Sequence, residues 1–174
     1  MRIISGIHRG RRIPLTNHLN IRPTTDKAKE ALFSIIENRY FFAGKNMLDL
    51  FSGSGSIAFE FASRGVEKVV AVDHNNNCIK FITATSKRIK SDISIIKYDA
   101  LKYTQTCKET FNFIFADPPY NYDKYKELKD TIVKQKLVKK NGILVIEHDK
   151  NTVFNDKHIE VRKYGTVHFS IFSF

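Results

Sequence analysis

Asp117-Pro118-Pro119-Tyr120 closes the apolar run FNFIFA and is the segment best equipped for chemistry. Two consecutive prolines fix φ and remove two backbone donors, so the carbonyls there are held rigidly with no neighbouring N–H to bond. An Asp117 oxygen and the Pro118 carbonyl can then both accept hydrogens from one planar NH2 group, while Tyr120 stacks on the ring that carries it. That is a clamp for an aromatic amine. A rigid turn after a buried strand would explain the prolines but not the acid and the aromatic beside them.

A second motif, Asp49-Leu50-Phe51-Ser52-Gly53-Ser54-Gly55, stands where an apolar strand turns into a helix. Glycines there let backbone approach a ligand, and the following helix N-terminus offers amides. A lone glycine pair is also what a tight strand-to-helix turn needs, so further acids matter. Asp73 ends the next predicted strand, where a carboxylate can accept from both hydroxyls of a ribose. Asp99, within Tyr98-Asp99-Ala100, follows the third and is placed to accept from an adenine amino group. Each acid alone reads as a loop or helix cap; three at successive strand ends read as a nucleoside site.

These residues need a scaffold that brings strand ends together. The sequence alternates NMLDLF (46–51), a helix through AFEFASRG, VVAVD (69–73), a helix around 75–90, ISIIK (93–97), FNFIFAD (111–117), a helix at about 123–137 and GILVIEH (142–148). Such alternation predicts parallel strands with right-handed helical crossovers. The tail HIEVRKYGTVHFSIF reads as two strands joined at Tyr164-Gly165, a hairpin that must end the sheet in antiparallel fashion. Ahead of the core, a helix from about Asp26 to Tyr40 has Ala28, Ala31, Leu32, Ile35 and Ile36 on one face, with Thr24 or Thr25 as its N-cap. Residues 1–24 read as a short basic hairpin or arm. The fold expected is therefore α/β: a mostly parallel, seven-stranded, Rossmann-like sheet with helices on both faces and a C-terminal antiparallel hairpin.

At 174 residues the chain has the length of one domain. The basic arm spans 1–24 and a catalytic core 25–174. Lys plus Arg number 29 against 18 Asp plus Glu, a net charge of +11 that attracts polyanions. Arg9, Arg11, Arg12 and Arg22 concentrate that charge ahead of the first helix, whereas the lysines between Lys124 and Lys140 read as a solvated helix face. Two separated cysteines, no leader-like apolar run and no membrane-spanning segment predict a cytoplasmic protein. The 6 histidines are scattered, so no metal is expected.

RIISGIHRGRRI, RPTTDKAKEALF, DLFSGSGSIAFEFASRG, DPPY and RKYGTVHFSIF resemble, in order and over nearly the whole chain, the bacterial RsmD-type 16S ribosomal RNA guanine-N2 methyltransferases, which have the class I S-adenosylmethionine-dependent fold. Ser5 and Ala58 stand where that family often has glycine, neither at a position with a chemical role. The resemblance implies that S-adenosyl-L-methionine is the cofactor. Gly53 and Gly55 would shape the loop around its methionine part with Asp49 near the amino group, Asp73 would hold the ribose and Asp99 the adenine. Phe51, His74, Ala100 and Thr24 belong to the same site. Asp117, Pro118, Pro119 and Tyr120 would form the catalytic clamp, and Arg9, Arg11, Arg12 and Arg22 would contact RNA. The partner implied is ribosomal RNA of the small subunit, acted on by a monomer.

Other functions share parts of this pattern. An amine clamp also suits a DNA adenine-N6 or another RNA methyltransferase, although no inserted target-recognition segment is present. A nicotinamide-dependent oxidoreductase also places glycines after its first strand, but Asp-Pro-Pro-Tyr has no part in hydride transfer. A silent RNA-binding protein would have no need of the acids.

Overall fold

The computed structural model describes residues 1–15, 19, 24–119, 121–157 and 159–174. Its elements, in chain order, are α1 (Asp26–Glu37), β1 (Asn46–Leu50), α2 (Ser56–Ser63), β2 (Lys68–Asp73), α3 (Asn76–Ile89), β3 (Ser94–Lys97), α4 (Ala100–Thr106), β4 (Phe111–Ala116), α5 (Tyr125–Lys134), β5 (Val138–His148), β6 (Ile159–Tyr164) and β7 (Val167–Ser173). Among the described residues the strands form a seven-stranded sheet in the order β3-β2-β1-β4-β5-β7-β6. The five strands β3, β2, β1, β4 and β5 pair in parallel, and β7 pairs antiparallel with both β5 and β6.

Strand periodicity divides the apolar side chains between two cores. Met47, Val69, Ala71, Phe113, Phe115 and Val145 face one way, against α1, α2 and α3. Leu48, Leu50, Val70, Val72, Ile114 and Ile146 face the other, against α4 and α5. Both faces are covered, which is why the central strands read as nearly continuous apolar runs.

The C-terminal hairpin closes through Gly165, at φ +63°, with Tyr164 paired to Val167. Its second strand, β7, lies inside the sheet and β6 takes the edge. Apolar content accounts for this: β7 carries Phe169, Ile171 and Phe172, all buried, whereas β6 is half exposed. Three expected boundaries shift. The first helix ends at Glu37, not Tyr40, because the chain turns so that Tyr40 and Phe42 can set their rings edge-on against Phe113. The helix expected at 123–137 is shorter: Lys136 adopts a left-handed φ of +52° and buries Leu137. β5 begins at Val138, ahead of Gly142, with a bulge opposite Phe111 and Phe113.

The N-terminal segment folds back on itself: Met1 and Ile13 exchange backbone hydrogen bonds, the Ile3 amide donates to the Arg11 carbonyl and the Gly10 amide to the Ile3 carbonyl. Arg2 and Arg12 form one antiparallel bridge, and Ile3 and Ile13 are buried beneath it. The amides of Ile4 and Ser5 instead donate to Glu60 at 2.8 and 3.0 Å, which removes them from cross-strand pairing. Gly6, at φ +80°, packs so closely on α2 that a Cβ would lie 1.8 Å from the Ser63 carbonyl oxygen. No described helix is long and apolar enough to cross a membrane.

Candidate active site

Each expected strand-end acid except Asp99 meets its neighbours in one cleft of about 340 Å³ at the carboxyl ends of β1, β2, β4 and β5. Ligand sites of small molecules begin at about this size, roughly 300 Å³. Asp49 belongs to β1 and Asp73 to β2, on the face that carries α1, α2 and α3. Asp117 follows β4, and Glu147 lies near the end of β5. Because strand order is β2-β1-β4-β5, the row across the sheet runs Asp73, Asp49, Asp117, Glu147.

The loop after β1 is fixed by its own hydrogen bonds. The Ser52 hydroxyl donates to the carbonyls of Asp49 and Val72, and the Gly55 amide closes a turn onto the Ser52 carbonyl at 2.7 Å. Gly53 and Gly55 have φ of +55° and +74°, the region in which a side chain is disfavoured. Phe51 also has a left-handed φ, +59°, a conformation costing a residue with a side chain about 1–3 kcal/mol and found where function over-determines the backbone. Its ring meets Tyr122 edge-on at 5.3 Å.

Asp73 is buried and accepts the Gly53 amide on one oxygen and the Asn75 amide on the other, at 2.8 and 2.7 Å. Each carboxylate oxygen keeps further acceptor capacity. Asp49 is 2% exposed and accepts the Ala58 amide of the first turn of α2. Burial, with Asp73 nearby, raises its pKa to about 8, against the opposing pull of the Ala58 amide. Asp117 is half-buried, and its amide reaches the Leu50 carbonyl. Burial, then Glu147 and Asp49, push its pKa well above the usual carboxylate range. The turn beyond it is closed by the Tyr122 amide on the Pro119 carbonyl at 2.8 Å.

Several expectations resolve further. Thr25, not Thr24, caps α1, accepting the Ala28 amide. That leaves Thr24 to line the cleft, where its hydroxyl donates to Glu147 Oε2 at 2.8 Å. Phe51, Gly53, His74, Pro118 and Pro119 also line the cleft. Gly55 does not; it shapes the turn, with Phe59 and Ile82 packed where its side chain would be. Asp99 caps α4 through the Lys102 amide, and neither it nor Ala100 lines the cleft. The Tyr98 amide does bond the Asp73 carbonyl, so the two strand ends are adjacent. Tyr120 and Arg22 fall outside the described residues.

Sequence reasoning missed Glu147, together with Ser52, Ser54, Ser56, Ile57, Asn75, Cys78 and Phe115 in the lining. The signal for Glu147 was present: GILVIE is an apolar run ended by an acid, the same pattern as VVAVD and FNFIFAD. Among the described residues no group of three or more His, Cys, Asp or Glu converges tightly enough to hold a metal ion.

The basic arm is mounted along α2. Lys29, nearly fully buried, donates to the Arg2 carbonyl and to Ser56 Oγ and lies 3.7 Å from Glu60. Burial lowers its pKa, opposed by Glu60. Arg64 adds a second cation on Glu60 and an ion pair with Glu37. Arg9, Arg11 and Arg12 are exposed, as is Ile7 of the same segment at 80%.

The donor set fits S-adenosylmethionine. A row of buried acids is costly to ionise without a cation, and that molecule carries a sulfonium and an ammonium. Asp73 can take a ribose diol, while Ile57, Phe115 and Cys78 supply apolar walls.

Known proteins with similar sequence or fold agree in kind. YlbH of Bacillus subtilis strain 168, named provisionally as an rRNA methyltransferase, is 36% identical over 86% of this chain and 83% of its own. Ribosomal RNA small subunit methyltransferase D of Haemophilus influenzae is 29% identical over 87% and 80%. Protein TTHA0928 of Thermus thermophilus superposes with a TM-score of 0.87, 25% identity and 98% coverage of both chains. The fold also matches the Thermus thermophilus 16S rRNA N2 G1207 methyltransferase RsmC, solved with AdoMet and guanosine, at a TM-score of 0.69 and 13% identity over 88% of this chain and 44% of that one. Residues 1–173 match the family model described as conserved hypothetical protein 95, and the chain belongs to that family, the RsmD-type family its motifs resemble.

Proposed function

We propose that this protein transfers a methyl group from S-adenosylmethionine to the exocyclic N2 amine of a guanine in 16S ribosomal RNA. One observation carries this: Asp117, followed by two prolines, shares a single cleft with the glycine loop and with Asp73. Family membership and relatives named for small-subunit rRNA methylation support the substrate class.

In this reading Asp73 holds the ribose and the loop from Phe51 to Ser54 surrounds the methionine part, with Asp49 near its ammonium. Asp99, adjacent to Asp73, uses its remaining acceptor capacity for the adenine at the rim. When bound, the cofactor would supply an electrophilic sulfonium methyl for the amine nitrogen, with the neutral thioether as leaving group. A guanine amine is a poor nucleophile because its lone pair is delocalised into the ring. Asp117 and the Pro118 carbonyl accept its two hydrogens, which favours a pyramidal nitrogen and aims the lone pair. Positioning of this kind is worth up to ~7–11 kcal/mol. The nitrogen then loses one proton, along the hydrogen bond to Asp117 or to water. Tyr120 stacks on a base that must be unpaired or flipped to enter the cleft. Arg9, Arg11, Arg12 and Arg22 neutralise phosphates around it.

The test is incubation with labelled S-adenosylmethionine and, separately, 30S particles, naked 16S rRNA and DNA, followed by digestion to nucleosides. We expect N2-methylguanosine from a small-subunit substrate. N6-methyladenosine, or transfer to DNA alone, would overturn the assignment.

A further inference from the structure

The prolines that leave the clamp's carbonyls free also deprive it of anchors. Pro118 and Pro119 have no N–H to donate, so the segment from Asp117 to Pro119 depends on how its two ends are held. At the first end the Asp117 amide donates to the Leu50 carbonyl at 3.3 Å. At the other the Tyr122 amide donates to the Pro119 carbonyl at 2.8 Å, and that anchor is only as fixed as Tyr122 itself.

Tyr122 is held through its ring. It meets Phe51 at 5.3 Å and Tyr125 at 5.4 Å, both edge-on, and Tyr125 is buried at the start of α5. Leu50 and Phe51 are consecutive, so both ends of the clamp are tied to the start of the loop after β1, where Phe51 lines the cleft. Phe51 has a side chain and a left-handed φ of +59°, a conformation that persists where its surroundings support it, and an aromatic edge contact is of the size that such support requires. Tyr122 itself does not line the cleft. Its hydroxyl is buried with no hydrogen-bond partner among the described residues. Burial, then Asp99, Glu127 and Asp123, raise the pKa of that hydroxyl to about 12, so it stays a neutral O–H. A buried hydroxyl without a partner adds nothing to stability, which leaves the ring as the part that acts.

We propose that Tyr122 is a positioning residue of the reaction: its ring ties the turn after Pro118 and Pro119 to Phe51, so that the loop around the cofactor sets the place of the amine clamp. The proposal rests on the function inferred above and deepens it. The loop follows β1 and the clamp follows β4, and the ladder between those strands ends at the pair Leu50 and Ala116. Beyond that pair the Phe51–Tyr122 contact joins the two segments where strand pairing no longer does. Transfer needs the amine nitrogen and the methyl group aligned, and a misplacement of about 1 Å can cost on the order of 100-fold in rate. A tie between the two segments therefore acts on the chemical step and leaves cofactor affinity almost untouched.

The experiment compares Tyr122→Leu, Tyr122→Phe, Phe51→Leu and the double variant Phe51→Leu/Tyr122→Leu with the parental enzyme. Single-turnover transfer to a small-subunit substrate is measured at saturating S-adenosylmethionine, with cofactor affinity and melting alongside. Tyr122→Leu should slow transfer by about 10-fold or more while cofactor affinity stays within about 3-fold of parental. A general loss of structure would move both together. Tyr122→Phe keeps the ring and removes the unpartnered hydroxyl, so it should transfer at near the parental rate and melt no lower. Phe51→Leu breaks the same contact from the other side and should lose rate at saturating cofactor even where Tyr122→Leu does not fold. The double variant should then be within about 3-fold of the slower single variant, whereas independent effects would multiply. Losses that multiply, a Tyr122→Leu or Phe51→Leu rate within about 2-fold of parental, or a Tyr122→Phe as slow as Tyr122→Leu would each overturn the inference and leave the proposed function in place. A parental protein that transfers no methyl group to nucleic acid overturns the proposed function and the inference with it.

Discussion

The Gly53 amide donates to Asp73 Oδ2 at 2.8 Å, so the loop after β1 is latched to the carboxylate that ends β2. The proposed function gives this one side chain two duties, to hold the glycine loop closed and to accept from a ribose. Hydrogen bonds to a charged acceptor are worth about 1.5–3 kcal/mol each. Asp73→Ala should therefore weaken S-adenosylmethionine binding by about 100-fold or more, while RNA affinity changes little. Calorimetry that returns the parental affinity would remove Asp73 from the cofactor site.

Asp49 makes cofactor binding a proton-linked event. With a pKa of about 8 the side chain is mostly protonated in the free protein at pH 7. A cation in the same cleft favours its ionised form, as it does for Asp117, so binding at pH 7 releases protons and tightens as pH rises from about 6 to 8. Calorimetry in phosphate and in Tris should give enthalpies that differ by the released protons, and Asp49→Asn should shrink that difference. The stability sign follows. A carboxyl whose pKa is raised by folding holds more protons folded than unfolded between its ordinary value and about 8, so the free protein loses stability across that window as pH rises. Asp49→Asn keeps an acceptor for the Ala58 amide and removes the titration, so it should melt higher than the parental protein at pH 8 in the absence of cofactor.

Much of this site could be read from the sequence because each strand writes its own ending. VVAVD and FNFIFAD end in acids whatever the order of the strands, and parallel crossovers bring such ends to one edge. What could not be read depends on partners distant in sequence. Glu147 matters only because β5 lies beside β4. Lys29, a residue the sequence did not single out, is buried because the Arg2 carbonyl accepts from it and Glu60, on α2, lies 3.7 Å away. The choice between Thr24 and Thr25 as the cap was settled by that same Glu147, which engages the first of them. The helix ends moved because burying Phe42 and Leu137 outweighed another turn of helix.

The arm's mount implies that its arginines act as a rigid group. Arg9, Arg11 and Arg12 project from a segment held by Glu60, Ser63 and Lys29, and none of the three touches the cleft. Replacing all three by Gln should weaken RNA binding and flatten the slope of log affinity against log salt by roughly 0.7–0.9 for each phosphate no longer neutralised. Cofactor affinity should not move. An unchanged salt slope would return these side chains to ordinary solvated surface.

Asp117 gives the sharpest separation of binding from chemistry. It lines the cleft, its backbone is tied to Leu50, and it makes none of the contacts that hold the glycine loop or Asp73. Asp117→Ala removes one of the two acceptors that orient the amine and also relieves repulsion with Glu147 and Asp49. The fold should survive, cofactor affinity should stay within a few-fold of parental, and methyl transfer should collapse. Asp117→Asn keeps a carbonyl acceptor without the charge and should retain part of the rate. It should also lose the acid limb of the pH profile: because the carboxyl pKa is raised, the parental enzyme loses the ionised acceptor as pH falls, and an amide has nothing to protonate. Tyr120→Ala should cost the stacking contribution, about 1–3 kcal/mol, and slow turnover without abolishing it. Tyr120→Phe should keep most of the rate, since the ring matters more than the hydroxyl. Single-turnover transfer to ribosomal substrate, with cofactor affinity measured separately, decides the matter. If Asp117→Ala methylates guanine at near the parental rate, the amine is held by some other pair of acceptors and the clamp is wrong.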